Sequence, residues 1–258
     1  MTIATDRADG VSSLARGLSL LELFSPDDTE VSISELARRG GMPKSTTHRL
    51  VADLLRFGAL ERGRSGVRLG VRLFELGHLV PDHRRLRELA MPFARTLAEA
   101  TGLTANIAVR EGLEVMYLEK ITHRDVRVPH SRVGGRLPMH ATGLGKAILA
   151  YSPASVLEAV LDRPLVAVSA ATITDPDAFR RELDQVRRVH VAYDLEESRP
   201  GLFCVAAPIF TRHERVVGAL SVTGATSQGE ARSWAHLVLE TASALSSSLG
   251  PARGSSAA

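Results

Sequence analysis

A chain of 258 residues can hold one large domain or two ordinary ones, and a hydrophobic content of 44% supports packed cores rather than disorder. No apolar run reaches the roughly 18 residues of a membrane span. Met1 to Gly10 carries Asp6, Arg7 and Asp9 where a signal peptide has its apolar segment, so a cytoplasmic protein with no membrane partner is expected. The single cysteine, Cys204, excludes an internal disulfide and a zinc site built on a cysteine pair, while the net charge of +3 excludes nothing by itself.

Leu14, Leu18 and Leu21 recur at helical spacing behind Ser12 or Ser13, which predicts a helix from Ser13 to Phe24. "SPDDTEVS" then breaks the pattern. The next stretch, "SISELARRGGMPKSTTHRLVADLLRFGAL", predicts a short helix over about Ser34 to Arg39, capped by Ser32 or Ser34. A turn at Gly40 and Gly41 follows, then a longer helix over about Pro43 to Phe57. This is a helix-turn-helix, with Gly41 where the tight turn can demand a positive φ. In such a motif the first turns of the second helix enter the DNA major groove. "PKSTTHR" therefore makes Lys44, Ser45, Thr46, His48 and Arg49 the candidate base and phosphate contacts.

After Gly58, "ALERGRSGVRLG" reads as two short strands forming a wing. Its Arg62, Arg64 and Arg68 would meet phosphates or the minor groove. Between Leu36 and Arg72, nine basic side chains stand against Asp53 and Glu61, a local excess of seven positive charges. Scattered arginines usually mark a solvated helix face; here the motif in which they lie favours double-stranded DNA.

"DHRRLRELAMPFARTLAEATG" is helical by periodicity from Asp82, and Pro92 inside it predicts a kink or two abutting helices. The pattern then turns to strands. "LTANIAVR" and "LEVMYLEKI" flank Glu111-Gly112 as one hairpin, and "LFCVAAPIF" and "RVVGALSVT" flank "TRHE" as another. Helices are expected at Gly143 to Tyr151, at Pro153 to Leu161 behind Ser152, at Pro176 to His190 behind Asp175, and from about Gln228 to Leu249. Antiparallel strands with helices between them predict an α+β sheet sandwich rather than a doubly wound fold.

"MHATGLGKAILA" invites a test against the phosphate-binding loop pattern. His140 occupies the place of its first glycine and Ala147 that of its magnesium-binding hydroxyl, so two requirements fail. A Gly-x-Ser-x-Gly elbow and a paired-histidine zinc helix are also absent from the sequence. Cys204 lies within an apolar strand, where a small buried hydrophobe is the ordinary reading. A binding pocket fits better. "TGLGKA" sets backbone amides at a helix start, where a carboxylate is favoured. Alternation in "GALSVTG" places Ala219, Ser221 and Thr223 on one strand face, and Asp194 ends the strand in "VAYDLEES".

Taken in order, "ELARRGGMPKSTTHRL", "RLGVRLFELG", "VGGRLPMHATGLGKAILA", "DLEE", "GLFCVAAPIF" and "GALSVTG" resemble the IclR-type family of bacterial transcription regulators over about Ser13 to Leu249. The resemblance implies a winged helix-turn-helix domain over 11–76, a linker helix over 77–101 and a GAF-like effector domain over 102–250, with 251–258 as a disordered tail. It further implies homodimers or homotetramers on palindromic operators. A small organic acid would be held by backbone amides at Gly143 and Leu144 and by the side chains of Asp194, Cys204, Ser221 and Thr223, with Leu137 as an apolar wall and Lys146 adding positive charge nearby. Two positions depart from the family pattern: Thr47, where an apolar anchor is usual, and Thr223, where some members have serine.

The function expected is therefore an effector-responsive DNA-binding repressor that needs no cofactor or metal and is not an enzyme. The rival is an enzyme with a DNA-targeting module that uses Cys204 or Lys146 as nucleophile. A buried Cys204 with no histidine beside it would count against the rival. A third reading, a DNA-binding protein without a ligand, would be supported by a closed and fully apolar pocket.

Overall fold

The computed structural model describes residues 12–122, 131–226 and 231–249. The expected disordered tail, the opening residues read for a signal peptide and the predicted start of the last helix at Gln228 lie outside the described residues. The chain divides into two compact units, Met1–Pro81 and Asp82–Ala258.

The first unit contains helices α1 (Ser13–Leu21), α2 (Ile33–Arg39) and α3 (Lys44–Phe57), strands β1 (Leu60–Arg62) and β2 (Val67–Leu69), and helix α4 (Val71–Gly77). Ser12 and Ser32 cap the first two helices, their hydroxyls accepting from Ala15 N at 3.1 Å and Glu35 N at 3.2 Å. Leu20, Leu36, Leu50 and Val51 from the three helices meet Val31, Leu60 and Val67 in one core. Gly41 turns the chain between α2 and α3 at φ 59. Thr47 is fully buried, and its hydroxyl donates to the Pro43 carbonyl at 3.1 Å, so the polar departure from the family pattern is satisfied locally. β1 and β2 pair antiparallel as the wing, and Val31 adds a bridge to Val67. Helix α4 was not expected: it has apolar side chains in Val71, Leu73, Phe74 and Leu76 but buries none of them.

In the second unit, α5 (Pro81–Thr101) leads to a sheet built from β3 (Thr104–Glu111), β4 (Glu114–Ile121), β5 (Arg136–Pro138), β6 (Ala192–Leu195), β7 (Leu202–Phe210) and β8 (Val216–Ala225). The strand order is β5-β4-β3-β8-β7-β6, antiparallel throughout. Helices α6 (Gly143–Leu149), α7 (Ala154–Leu161) and α8 (Pro176–Val189) cover one face, while α5 and α9 (Ala235–Ser248) cover the other. The expected sandwich of helices and antiparallel sheet is what forms.

Three details differ from expectation. Of the two alternatives at Pro92, a kink or two abutting helices, the second does not form: the segment read as a linker is one helix through the proline. Its Leu86, Ala90, Ala94 and Leu97 are buried in the second unit's core, and that burial offsets the hydrogen bond lost at the proline. Ser152 does not cap α7; its hydroxyl donates back to the Ile148 carbonyl at 3.0 Å, and Pro153 occupies the cap position before Ala154. The short edge strand β5 carried no strand signal, having only three residues, one of them proline.

Helix α6, the "TGLGKA" segment, lies directly on the sheet. A Cβ on Gly145 would stand 2.2 Å from the Met139 carbonyl oxygen, and one on Gly143 would stand 3.2 Å from the Cys204 sulfur. The approach to the Met139 backbone requires the glycine at 145, while at 143 a side chain would have to displace the Cys204 sulfur by a few tenths of an ångström. Thr142 caps the helix by accepting from Gly145 N at 3.0 Å, and Lys146 N bonds the Thr142 carbonyl, which leaves the Gly143 and Leu144 N–H groups without an intrahelical acceptor.

Candidate functional site

On α3 the structure separates two faces. Thr47, Leu50 and Val51 are buried, whereas Lys44, Ser45, His48 and Arg49 are exposed and Thr46 is half-buried. Arg62, Arg64 and Arg68 are exposed on the wing. All the candidate DNA contacts except the half-buried Thr46 thus occupy exposed surface.

The nine basic residues of this region are not equivalent. Arg38 pairs with Glu35 at 2.6 Å, Arg39 with Asp28 at 2.5 Å and Glu35 at 2.9 Å, Arg68 with Glu61 at 3.0 Å, Arg72 with Glu75 at 2.8 Å, and Arg56 with Asp53. The arginines hold the Glu35 carboxyl down to about 2 and Asp28 well below the usual carboxylate range. Among the described residues, Lys44, Arg49, Arg62 and Arg64 have no salt-bridge partner. These four are therefore the cations most available to phosphate. Charge counting over 36–72 missed this because Asp28, Glu35 and Glu75 lie just outside that window.

Glu30 was missed as well. Its carboxylate accepts from Arg64 N at 3.1 Å, Ser65 N at 2.8 Å and the Ser65 hydroxyl at 2.8 Å, and these bonds hold its pKa below the ordinary value. It fixes the wing tip between Arg62 and Arg68. The partners lie more than thirty positions away along the chain, a distance that no local pattern spans.

In the second unit, pairing puts Asp194 opposite Cys204, and Cys204 opposite Thr223, in one row across β6, β7 and β8. Ser221 lies two residues along β8 on the same face, opposite Asn106 of β3. Gly143 sits against the Cys204 sulfur. Tyr117, Thr142, Asp194, Cys204 and Thr223 are among the residues lining a small cavity of about 10 Å³, which is room for about one water molecule. The structure thus brings Asp194, Cys204 and Thr223 to the cavity, with Ser221 and Gly143 beside that row but not among the lining residues. Leu144 is buried in the adjoining core, and Leu137 pairs with Val115 on the edge strand and packs beside that core without lining the cavity.

Asp194 is buried, and its Oδ1 accepts from Glu197 N at 2.7 Å and Ser198 N at 3.1 Å. Burial pushes its pKa up; the bonds from Ser198 and Glu197 and the charge of Lys146 oppose that shift. Burial likewise pushes the Cys204 thiol up to about 11, with the Asp194 charge adding to it, so the thiol is protonated at neutral pH. No histidine is among the residues lining the cavity. Burial also raises Tyr117, whose hydroxyl makes no hydrogen bond among the described residues.

Lys146 is fully buried and donates to Glu182 at 2.9 Å and Glu197 at 2.6 Å. The expected positive charge near the site is therefore shared with two carboxylates. The field of Lys146 reaches Asp194, but its protons are directed to two glutamates.

Sequence reasoning overlooked Asn106, whose Nδ2 donates to Thr223 Oγ1 at 3.2 Å and Ser221 Oγ at 3.4 Å. The available signal was one amide side chain inside the apolar alternation of "LTANIAVR". For Tyr117 there was none, since a tyrosine in a strand is ordinarily a packing residue.

Residues 13–64 match the family model of the IclR helix-turn-helix domain, and residues 78–247 match that of the bacterial transcriptional regulator IclR C-terminal region. The HTH-type transcriptional regulator XynR of Escherichia coli is 34% identical over 221 residues, which cover 84% of this chain and 88% of that protein. The transcriptional repressor IclR of the same bacterium is 35% identical over 232 residues, covering 88% and 85%. An IclR homolog from Microbacterium hydrocarbonoxydans, solved in complex with 4-hydroxybenzoate, matches with a TM-score of 0.87 at 34% identity, over 93% of this chain and 100% of that one. The helix-turn-helix and the first strand of its wing fall in one matched segment and the antiparallel effector-type domain in the other, and the chain belongs to the IclR family of DNA-binding bacterial transcription regulators.

Proposed function

We propose that this regulator is a cytoplasmic repressor, acting as a homodimer or homotetramer, whose grip on a double-stranded palindromic operator is set by a small carboxylic acid, aromatic acids included. The observation that carries this reading is the buried polar row Asp194, Cys204 and Thr223 lying beneath a helix start with two amides left over. The Gly143 and Leu144 N–H groups take the carboxylate. Asp194 faces a ligand hydroxyl, or carries a proton to a ligand carbonyl. Ser221, Thr223 and Cys204 complete the polar side, and Leu137 walls the site. The 4-hydroxybenzoate complex of the Microbacterium homolog supports the ligand class. Lys44, Ser45, Thr46, His48 and Arg49 read the operator, with Arg62, Arg64 and Arg68 on its backbone.

Regulation requires the acid to bind the operator-competent and operator-incompetent states unequally. A sensor, not an enzyme, is the reading favoured by a protonated Cys204 and a Lys146 engaged by two carboxylates. The cavity is close-packed but polar, which argues against a regulator without a ligand.

The test is a thermal-shift screen of small carboxylic acids, including 4-hydroxybenzoate, followed by operator binding with and without each hit. A hit that changes operator affinity is expected; no shift across the panel overturns the sensor reading. Asp194→Ala and Ser221→Ala should each weaken the hit by about 10- to 100-fold, the worth of a hydrogen bond to a charged group, while operator binding persists. A normal response in both variants moves the site elsewhere.

A further inference from the structure

Asn106 is 1% exposed at the middle of β3, and no part of the reading above assigns it a role. Its side-chain nitrogen can only donate. The partners of that nitrogen, Ser221 Oγ and Thr223 Oγ1, are therefore acceptors at this contact. A hydroxyl that accepts through a lone pair keeps its own proton for another acceptor. On the other side of the amide, the Ser131 hydroxyl donates to Asn106 Oδ1 at 3.4 Å, which fixes the direction of the group. Ser131 is itself held in place, its carbonyl accepting from Lys120 Nζ at 2.7 Å.

Among the described residues, neither hydroxyl donates a hydrogen bond to a carboxylate or carbonyl oxygen. Thr104 stands directly opposite Thr223, yet its buried hydroxyl has no hydrogen-bond partner. The nearby sulfur of Cys204 belongs to a protonated thiol, a weak acceptor, and the two hydroxyls are placed to favour its charged form. An anion in the cavity would be a far better acceptor.

We propose that Asn106 is a positioning residue that holds the hydroxyl proton of Thr223 toward the cavity and that of Ser221 toward the polar row beside it, so that the site prefers a carboxylate over its uncharged isostere. This rests on the reading of the cavity as the effector site, and it assigns that site's anion selectivity to a residue that the ligand itself need not touch.

The test uses calorimetric titration of the full chain with benzoate, 4-hydroxybenzoate and lactate, each beside its primary amide. Wild type should bind at least one acid more tightly than its amide. In Asn106→Ala the acid-to-amide preference should fall by about 10-fold, because hydroxyls free to rotate no longer offer fixed donors. Asn106→Asp, an acceptor of the same shape, should lower it further; if that variant does not fold, Asn106→Ala alone carries the test. A merely structural role would weaken acid and amide equally and leave their ratio unchanged, and that result overturns the assignment. If wild type binds no acid of the panel, the sensor reading falls and this assignment with it. If wild type binds and Asn106→Ala binds identically, only the assignment falls.

Discussion

On the outer face of the first unit, carboxylates give up their protons more readily than usual. Around the cavity of the second unit they hold them more tightly. Arginines lower Glu35 to about 2 and also lower Asp28, while Glu61 is lowered by its bonds to Val71 N and Arg68. Burial raises Asp194 and Glu197 against the pull of Lys146. In water, ion pairs form readily and contribute little to stability, and their main effect on the DNA face is selective: five arginines are occupied and four cations are left over. In the interior one lysine holds two glutamates, and the residues that would meet a ligand are mostly neutral or reluctant to ionise. Charge is the recognition element outside and part of the frame inside.

The largest break in this contrast should come from Lys146→Met. Glu197 would be left buried without its cation, costing about 3–5 kcal/mol of stability in urea unfolding. A loss below about 1 kcal/mol would mean the interior pair behaves like a surface one. Gly145→Ala drives a methyl toward the Met139 carbonyl at 2.2 Å and should cost about 1–3 kcal/mol by the same measurement. Wild-type stability there would show that α6 can lift from its seat.

On the outer face, Arg49→Ala should weaken operator binding by about 10-fold at fixed salt and leave acid binding unchanged. Arg68→Ala, already paired with Glu61 at 3.0 Å, should lose less. Equal losses would show that pairing does not decide which cations meet DNA.

The smallest effect is a difference in pH dependence. Folded Asp194 binds its proton more tightly than the unfolded side chain. Its contribution to stability is therefore fullest below 3.8 and is lost as pH rises through the folded value. Glu35 runs the other way: its contribution is present above 4.5 and is lost as pH falls toward about 2. In a pH series of urea midpoints, the stability of wild type relative to Asp194→Asn should decline as pH rises from about 4. A rise instead would overturn the sign given to Asp194.

What could be read from the residues follows from how local each signal is. Strand β7 coincides with "LFCVAAPIF" because an apolar run closed by turn residues at both ends has few alternatives. The helix-turn-helix emerged from period and caps, and Asp175 does cap α8, accepting from Ala178 N at 2.6 Å. The hydroxyls of Ser221 and Thr223 were visible through strand alternation. Features set by partners far along the chain were hidden: the Glu30 clamp on the wing, the second carboxylate on Lys146, and the Asn106 bridge spanning more than a hundred positions. Helix α4 and strand β5 stayed hidden for a different reason, since neither buries a periodic apolar face.

The cavity of about 10 Å³ has a temporal consequence. On the proposed reading of this cavity as the effector site, a benzoate-sized acid would enter only once the side chains around the Asp194–Cys204–Thr223 row part, and the population of that open state would scale the observed affinity. Association should then fall well below the diffusion limit and level off as ligand concentration rises. On that reading the regulator would respond to sustained supply of its signal more than to brief pulses, as a low-pass filter does.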